Sequence, residues 1–291
     1  MFETSKRLFS IIFAVLILFS STHARTFQTD DNQFISYTDI GHGKPIVLVH
    51  AFPTDRRLFE LARNEIEDIF HDSNIFRIIS IDLWGFGQSS SVNGKAILMS
   101  EYASEVRQLL EHLNIESAVI GGESMGGYVA LAFLEQFPTK VEGLILSDTQ
   151  SIADSPETKA KREEIAVDVI EHGSENLING FISKALSPNS DEKTKMFLKH
   201  ILVQQDKMAI ASALRGMALR NDTSNVLANT SIPILILSGE KDMLISPEQS
   251  QNMHALARNS KLIIIPNAGH LSSLEQPHTW IWAAVDMFYK S

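Results

Sequence analysis

The stretch Gly121-Gly122-Glu123-Ser124-Met125-Gly126-Gly127 sets one serine among four glycines. It follows the apolar run Ser117–Ile120 and precedes the helical run Tyr128–Leu134. Glycine weakens both strands and helices, so a backbone this rich in it turns sharply or passes close to a neighbour. Its centre, Gly122-Glu123-Ser124-Met125-Gly126, is a G-x-S-x-G pattern between a strand and a helix, the context that gives the pattern chemical meaning. So tight a turn wants small flanking residues and pushes the Ser124 hydroxyl outward. The amino end of the next helix, with its dipole and free N–H groups, favours negative charge there.

A serine hydroxyl becomes a useful nucleophile only when a base takes its proton and an acid holds the base. Two later segments can supply them. Ser238-Gly239-Glu240-Lys241-Asp242 follows one strand-like run and Asn267-Ala268-Gly269-His270 follows another. Asp148, after the run Leu144–Ser147, is a second candidate acid and Glu240 a third. His278, in Gln276-Pro277-His278, reads as a surface residue at a helix start, and Asp82 as the brace of a turn.

The elements that must position these groups show in the hydrophobic pattern. Pro45–His50, Ile75–Asp82 and Ala118–Gly121 are apolar runs of the kind buried on both faces of a parallel sheet, and Leu144–Ser147, Pro233–Leu237 and Lys261–Ile265 continue the strand pattern. Helical patterns fill the intervals at Arg57–Phe70, Ile97–Leu113, Tyr128–Phe137, Pro247–Ala257 and His278–Tyr289. Such alternation means βαβ units, which put Ser124, Asp242 and His270 at the carboxyl ends of strands on one sheet edge. The interval 153–226 breaks the rhythm with amphipathic helices and no strand. It is expected to form a helical cap over that edge, where open α/β sheets bind ligands. The core is expected to comprise 25–152 and 227–291.

The composition limits the partners. A chain of 291 residues, 44% apolar and 21% charged, can bury a sizeable core. Its net charge of −10 argues against nucleic acid, which is gripped by clustered Lys and Arg. There is no cysteine, so disulfides, thiolate metal sites and a cysteine nucleophile are excluded. Lys6-Arg7, the twelve apolar residues Leu8–Phe19 and the small-residue ending at Ala24 read as an export signal over 1–24. The apolar stretch is short of the roughly 20 residues that span a bilayer, so a periplasmic or secreted protein without stable membrane association is expected after cleavage.

Four blocks make the chain resemble the α/β-hydrolase superfamily over nearly all of 34–290. They are His50-Ala51-Phe52-Pro53, Asp82-Leu83-Trp84-Gly85-Phe86-Gly87-Gln88-Ser89, Gly122–Gly127, and Gly239–Asp242 with Gly269-His270. The tail from Ala268 to Pro277 resembles the branch of 3-oxoadipate enol-lactonases, small carboxylesterases and serine perhydrolases. The resemblance implies a mostly parallel central sheet flanked by helices, with the helical cap as an insertion. In that superfamily the chain order is nucleophile, acid, histidine. It implies Ser124 as nucleophile, His270 as general base and then acid, and Asp242 as the group orienting His270. The backbone N–H groups of Met125 and Phe52 would form the oxyanion hole. Ala51 departs from the family's usual glycine after the histidine of that loop, and His50 reads as a loop brace.

A serine at the elbow argues against the carboxylate nucleophile of haloalkane dehalogenases and epoxide hydrolases. No H-E-x-x-H or phosphate-loop pattern is present, and no metal or cofactor is expected. Phe52, Trp84 and Met125 are candidate apolar walls, with Met196, Met208 and Met217 as further walls or packing inside the cap. These features imply hydrolysis of a small-molecule ester or lactone through an acyl-enzyme. The alternatives are C–C bond hydrolysis, with Arg215 or Arg220 facing a substrate carboxylate, and ligand binding without turnover.

Overall fold

The β-branched run after Lys44 folds as β3 (Lys44–Val49) because both of its faces find apolar partners. Val47 and Val49 join one core with Ile120, Leu109 and Val129, while Ile46 and Leu48 join a second with Val119, Ile66 and Trp280. Each such side chain taken fully out of water contributes roughly 1.5–3 kcal/mol. The computed structural model describes residues 24–70 and 75–289. The expected export signal, apart from Ala24, lies outside the described residues.

β3 sits in an eight-stranded sheet. The strands in chain order are β1 (Arg25–Gln28), β2 (Phe34–Gly41), β3, β4 (Phe76–Asp82), β5 (Ala118–Glu123), β6 (Val141–Ser147), β7 (Ile234–Gly239) and β8 (Ser260–Ile265). Across the sheet they run β1-β2-β4-β3-β5-β6-β7-β8. Every pair from β4 to β8 is parallel, and β1 and β2 add an antiparallel edge in which Tyr37 faces Ile81. That edge pair is absent from the sequence expectation. β1 is four residues long, and β2 alternates polar with apolar instead of running apolar.

Helices α2 (Met99–His112), α3 (Met125–Gln136), α8 (Ser224–Asn229) and α9 (Pro247–Leu256) serve the first core. Helices α1 (Glu60–Phe70), α10 (Ser272–Glu275) and α11 (Pro277–Phe288) serve the second. The remaining helices, α4 (Pro156–His172), α5 (Glu175–Ala185), α6 (Glu192–Leu202) and α7 (Lys207–Ala218), precede α8 in the segment between β6 and β7, which has no strand. Their ends follow local signals. Ser155 caps α4 by accepting the Thr158 N–H ahead of Pro156, and α4 stops at Gly173, whose φ is 88°. Asp191 and Asp206 cap α6 and α7 in the same way. The segment contributes to both cores. Ile210, Leu214 and Met217 of α7 enter the first core, and Ile178 of α5 with Leu198 of α6 enters the second.

Candidate active site

β5 ends at Glu123 and α3 begins at Met125, which leaves Ser124 alone to make the turn. Its backbone is at φ 55°, ψ −115°, a region that costs a residue with a Cβ on the order of 1–3 kcal/mol. Two groups hold it there. The Ser124 N–H donates to the Ser147 carbonyl at 2.8 Å, and the Thr149 hydroxyl donates to the Ser124 carbonyl at 2.8 Å. The surrounding glycines are required by contact. A Cβ on Gly122 would lie 2.0 Å from the Gly126 carbonyl oxygen, and one on Gly126 would lie 2.0 Å from that of Val49. α3 therefore starts three residues earlier than the pattern Tyr128–Phe137 suggests, because packing against β3 outweighs glycine's weak helix propensity.

Asp242 and His270 leave neighbouring strand ends. Asp242 sits in the turn after β7, where its Oδ1 accepts the N–H groups of Leu244 at 2.8 Å and Ile245 at 2.9 Å. His270 lies between β8 and α10, with its backbone N–H on the Ala185 carbonyl at 2.8 Å. Asp242 Oδ2 is 2.8 Å from His270 Nδ1, and His270 Nε2 is 2.8 Å from Ser124 Oγ. An ionised carboxylate only accepts, so Nδ1 carries the hydrogen and Nε2 presents its lone pair to the serine. Ser124 and Asp242 are each 8% exposed and His270 2%. Burial pushes the His270 imidazole down, but the Asp242 charge and hydrogen bond, helped by Asp148, leave it above its ordinary value.

The other candidates of the sequence stand elsewhere. Asp148 is buried beside this chain of groups and bonds Gly239 N–H, Ser147 and Ser272. Glu240 is exposed and accepts the Asn267 N–H, and His278 is exposed with its ring beside Trp282. Asp82 binds the side chain and backbone of Arg56 and the Gln88 N–H. His50 donates from Nδ1 to the Ala51 carbonyl and accepts the Leu83 N–H at Nε2, tying the loops after β3 and β4. Burial keeps its imidazole below the usual range, consistent with that neutral bridging tautomer.

A cavity of about 260 Å³ opens over Ser124 and His270. Phe52 and Tyr128 wall it from below, Leu244 and Ile245 from the turn that Asp242 pins, and Ile165, Leu177, Phe181, Leu214 and Met217 from the helices above. Trp84 is not among its lining residues; its backbone N–H donates to Glu105 and its ring packs on the first core. The Met125 side chain is buried in that core as well, so only its backbone faces the serine turn. Met196 is 70% exposed on α6, and Met208 is half-buried next to Gly94. Arg215 is committed to Glu163 and the Gly94 carbonyl, and Arg220 to Asp154 and the Tyr128 ring. The cations that line the cavity are Lys161 and Arg162, the latter with its Nε on Asp154 at 2.5 Å. They were not singled out from the sequence.

Known proteins share this fold. The serine aminopeptidase, S33 family matches residues 72–277. The AB hydrolase superfamily protein YisY of Bacillus subtilis (strain 168) is 28% identical over 261 residues, covering 86% of this chain and 93% of that protein. A thermophilic esterase from Thermogutta terrifontis, solved with malate bound, is 31% identical and superposes with a TM-score of 0.84 over 91% of this chain and 97% of its own. The enol-lactonase from Burkholderia xenovorans LB400, 21% identical, shares the fold with a TM-score of 0.80 over 90% of this chain and 99% of its own. The chain belongs to the serine aminopeptidase, S33 family and is an enzyme of the α/β-hydrolase superfamily.

Proposed function

We propose that the chain is a serine hydrolase that cleaves small carboxylic esters or lactones through an acyl-enzyme. The observation that carries this reading is the pair of 2.8 Å contacts linking Asp242 to His270 and His270 to Ser124. Ser124 Oγ attacks the substrate carbonyl while His270 Nε2 takes its proton, and Asp242 stabilises the imidazolium. The tetrahedral oxyanion is met by the N–H of Met125, which opens α3 and so has no helical carbonyl behind it, and by the N–H of Phe52. Each such donor is worth on the order of 3 kcal/mol. His270 returns the proton to the leaving alkoxide, and the alcohol departs. Water then attacks the acyl-enzyme with His270 as base, which releases the acid and restores Ser124.

The cavity favours a small, largely apolar acyl group, because its 260 Å³ falls below the roughly 300–1,000 Å³ of sites for drug-sized ligands. The C–C reading looks to Arg215 or Arg220 for a cation facing the substrate carboxylate, and neither lines the cavity; the cations that do, Lys161 and Arg162, are what that reading would have to use. The test is hydrolysis of short-chain p-nitrophenyl esters by the protein and by Ser124→Ala. Turnover in the wild type should fall at least about 10³-fold in the variant, with an unchanged circular dichroism spectrum. A variant that keeps its turnover refutes Ser124 as the nucleophile.

A further inference from the structure

Behind the Ser124–His270–Asp242 chain lies a second buried acidic cluster that the reaction above does not use. Asp148 follows β6 with φ 48°, and its side chain is enclosed by donors from three directions. Oδ1 accepts the Gly239 N–H at 2.6 Å, and Oδ2 accepts the Ser147 hydroxyl at 2.9 Å and the Ser272 hydroxyl. Ser147 Oγ is itself held by the indole N–H of Trp280 from α11 at 2.9 Å. Glu123, the residue before Ser124, is fully buried next to it. Its Oε1 accepts the Ser273 N–H at 3.0 Å, and its Oε2 shares a 2.5 Å bond with the Ser273 hydroxyl.

The placement of this cluster carries the inference. Gly239 stands three residues before Asp242, Ser272 two after His270, and Glu123 one before Ser124. One network therefore grips all three segments that bring the reacting groups together. Its two acids share one dry site, where like charges cannot both persist cheaply. The donors on Asp148 come from three separate segments, Ser147 on β6, Gly239 closing β7 and Ser272 opening α10, whereas those on Glu123, the Ser273 N–H and hydroxyl and a longer 3.5 Å contact from the Ser272 hydroxyl, all come from the start of α10. The better-solvated partner keeps the charge.

We propose that Asp148 is a positioning residue that acts through His270: its carboxylate is a second anion beside the imidazole, while Glu123 stays protonated and spaces the strand ends. This rests on the reading of His270 as the base. The electrostatics agree in direction. Burial pushes both acids up, Glu123 well above its ordinary value and Asp148 to about 6. Asp242 opposes ionisation of Asp148, His270 favours it, and Asp148 in turn favours the imidazolium. The titratable groups around Asp148 are thus Glu123 on β5, Asp242 after β7 and His270 after β8.

The test follows the His270 ring by nitrogen NMR across a pH titration in the full chain carrying Ser124→Ala, so it needs no turnover. Removing an anion lowers an imidazole pKa. Asp148→Asn should therefore lower the His270 midpoint by about one unit, and the acid limb of ester turnover in the Ser124 background should move the same way. Ser272→Ala, which takes one donor from Asp148, should give a smaller shift of the same sign, and it decides the matter if Asp148→Asn does not fold. Glu123→Gln, neutral like the protonated acid, should leave the midpoint in place. A His270 midpoint that does not move in Asp148→Asn or Ser272→Ala overturns the proposal, as does an equal shift in Glu123→Gln. Failure of the serine mechanism reads separately, as turnover that survives Ser124→Ala.

Discussion

Ser124 and His270 are both nearly closed off from water, and this makes the choice of acid decisive. A neutral imidazole has two tautomers, and only the one with hydrogen on Nδ1 can accept the serine proton at Nε2. Asp242 Oδ2, 2.8 Å from Nδ1, selects that tautomer. An amide in its place can present N–H to Nδ1 and favour the wrong one. Asp242→Asn should therefore lower kcat by about 10⁴-fold, as loss of the orienting carboxylate does in serine hydrolases generally. The sign of the pH dependence follows from the same contact. Asp242 helps hold the His270 pKa above its ordinary value, so wild-type turnover is lost as pH falls through that raised value. In Asp242→Asn, residual turnover should persist to lower pH. Rates against pH for both proteins check this, and a variant with wild-type kcat would show that another group orients the imidazole. The order Ser124, Asp242, His270 was legible because each follows an apolar run that reads as a strand. Asp242 stood ahead of Asp148 through the resemblance, not through spacing, since both acids end strands; the placement of Asp242 Oδ2 beside Nδ1 is what separates them in space.

At the scale of elements, β3 through β7 were readable because strands buried on both faces have no polar alternation to confuse with helix, while β8, an edge strand with Lys261 and Ile264 exposed, was readable from its apolar run over 262–265. Boundaries moved where packing, not propensity, sets the end. α3 is the clearest instance, since its first turn contains Gly126 and Gly127 and still forms because β3 passes so close. The contact can be tested against a glycine with no such neighbour. In Gly126→Ala the new Cβ meets the Val49 carbonyl oxygen at 2.0 Å, and backbone cannot swing aside as a side chain can. The expected cost is about 3 kcal/mol, seen as a fall in Tm of about 5–10 °C and a loss of ester turnover as Ser124 shifts. Gly180 lies inside α5 with nothing within 4 Å of its would-be Cβ. Gly180→Ala should instead be neutral or stabilise by about 0.5–1 kcal/mol. Thermal melts of the two variants decide between close approach and mere helix preference as the reason for glycine at the elbow.

For the whole molecule, the proposed reacting groups and the cavity wall have separate origins. Ser124, Asp242 and His270 come from strand ends, whereas Ile165, Leu177, Phe181, Leu214 and Met217 come from helices between β6 and β7. That division explains why the grouping of these three side chains could be read from the sequence and the lining of the cavity could not. Strand ends announce themselves through apolar runs, but residues from α4, α5 and α7 converge on one cavity without any spacing that links them. It also means that substrate size and rate can be changed independently. Phe181 is only half-buried, so shortening it should widen the cavity without emptying the core. A hydrophobic wall discriminates about 10-fold or more per methylene-sized change in fit. Phe181→Ala should therefore raise the ratio of kcat/KM for p-nitrophenyl octanoate over p-nitrophenyl acetate by about tenfold, with turnover of the acetate little changed. Because acetate barely reaches the helices, its rate reports on the strand-end groups alone. If both esters lose rate together, the helices position Ser124 or His270 as well as enclosing the acyl chain. An unchanged ratio would place the acyl chain outside this cavity.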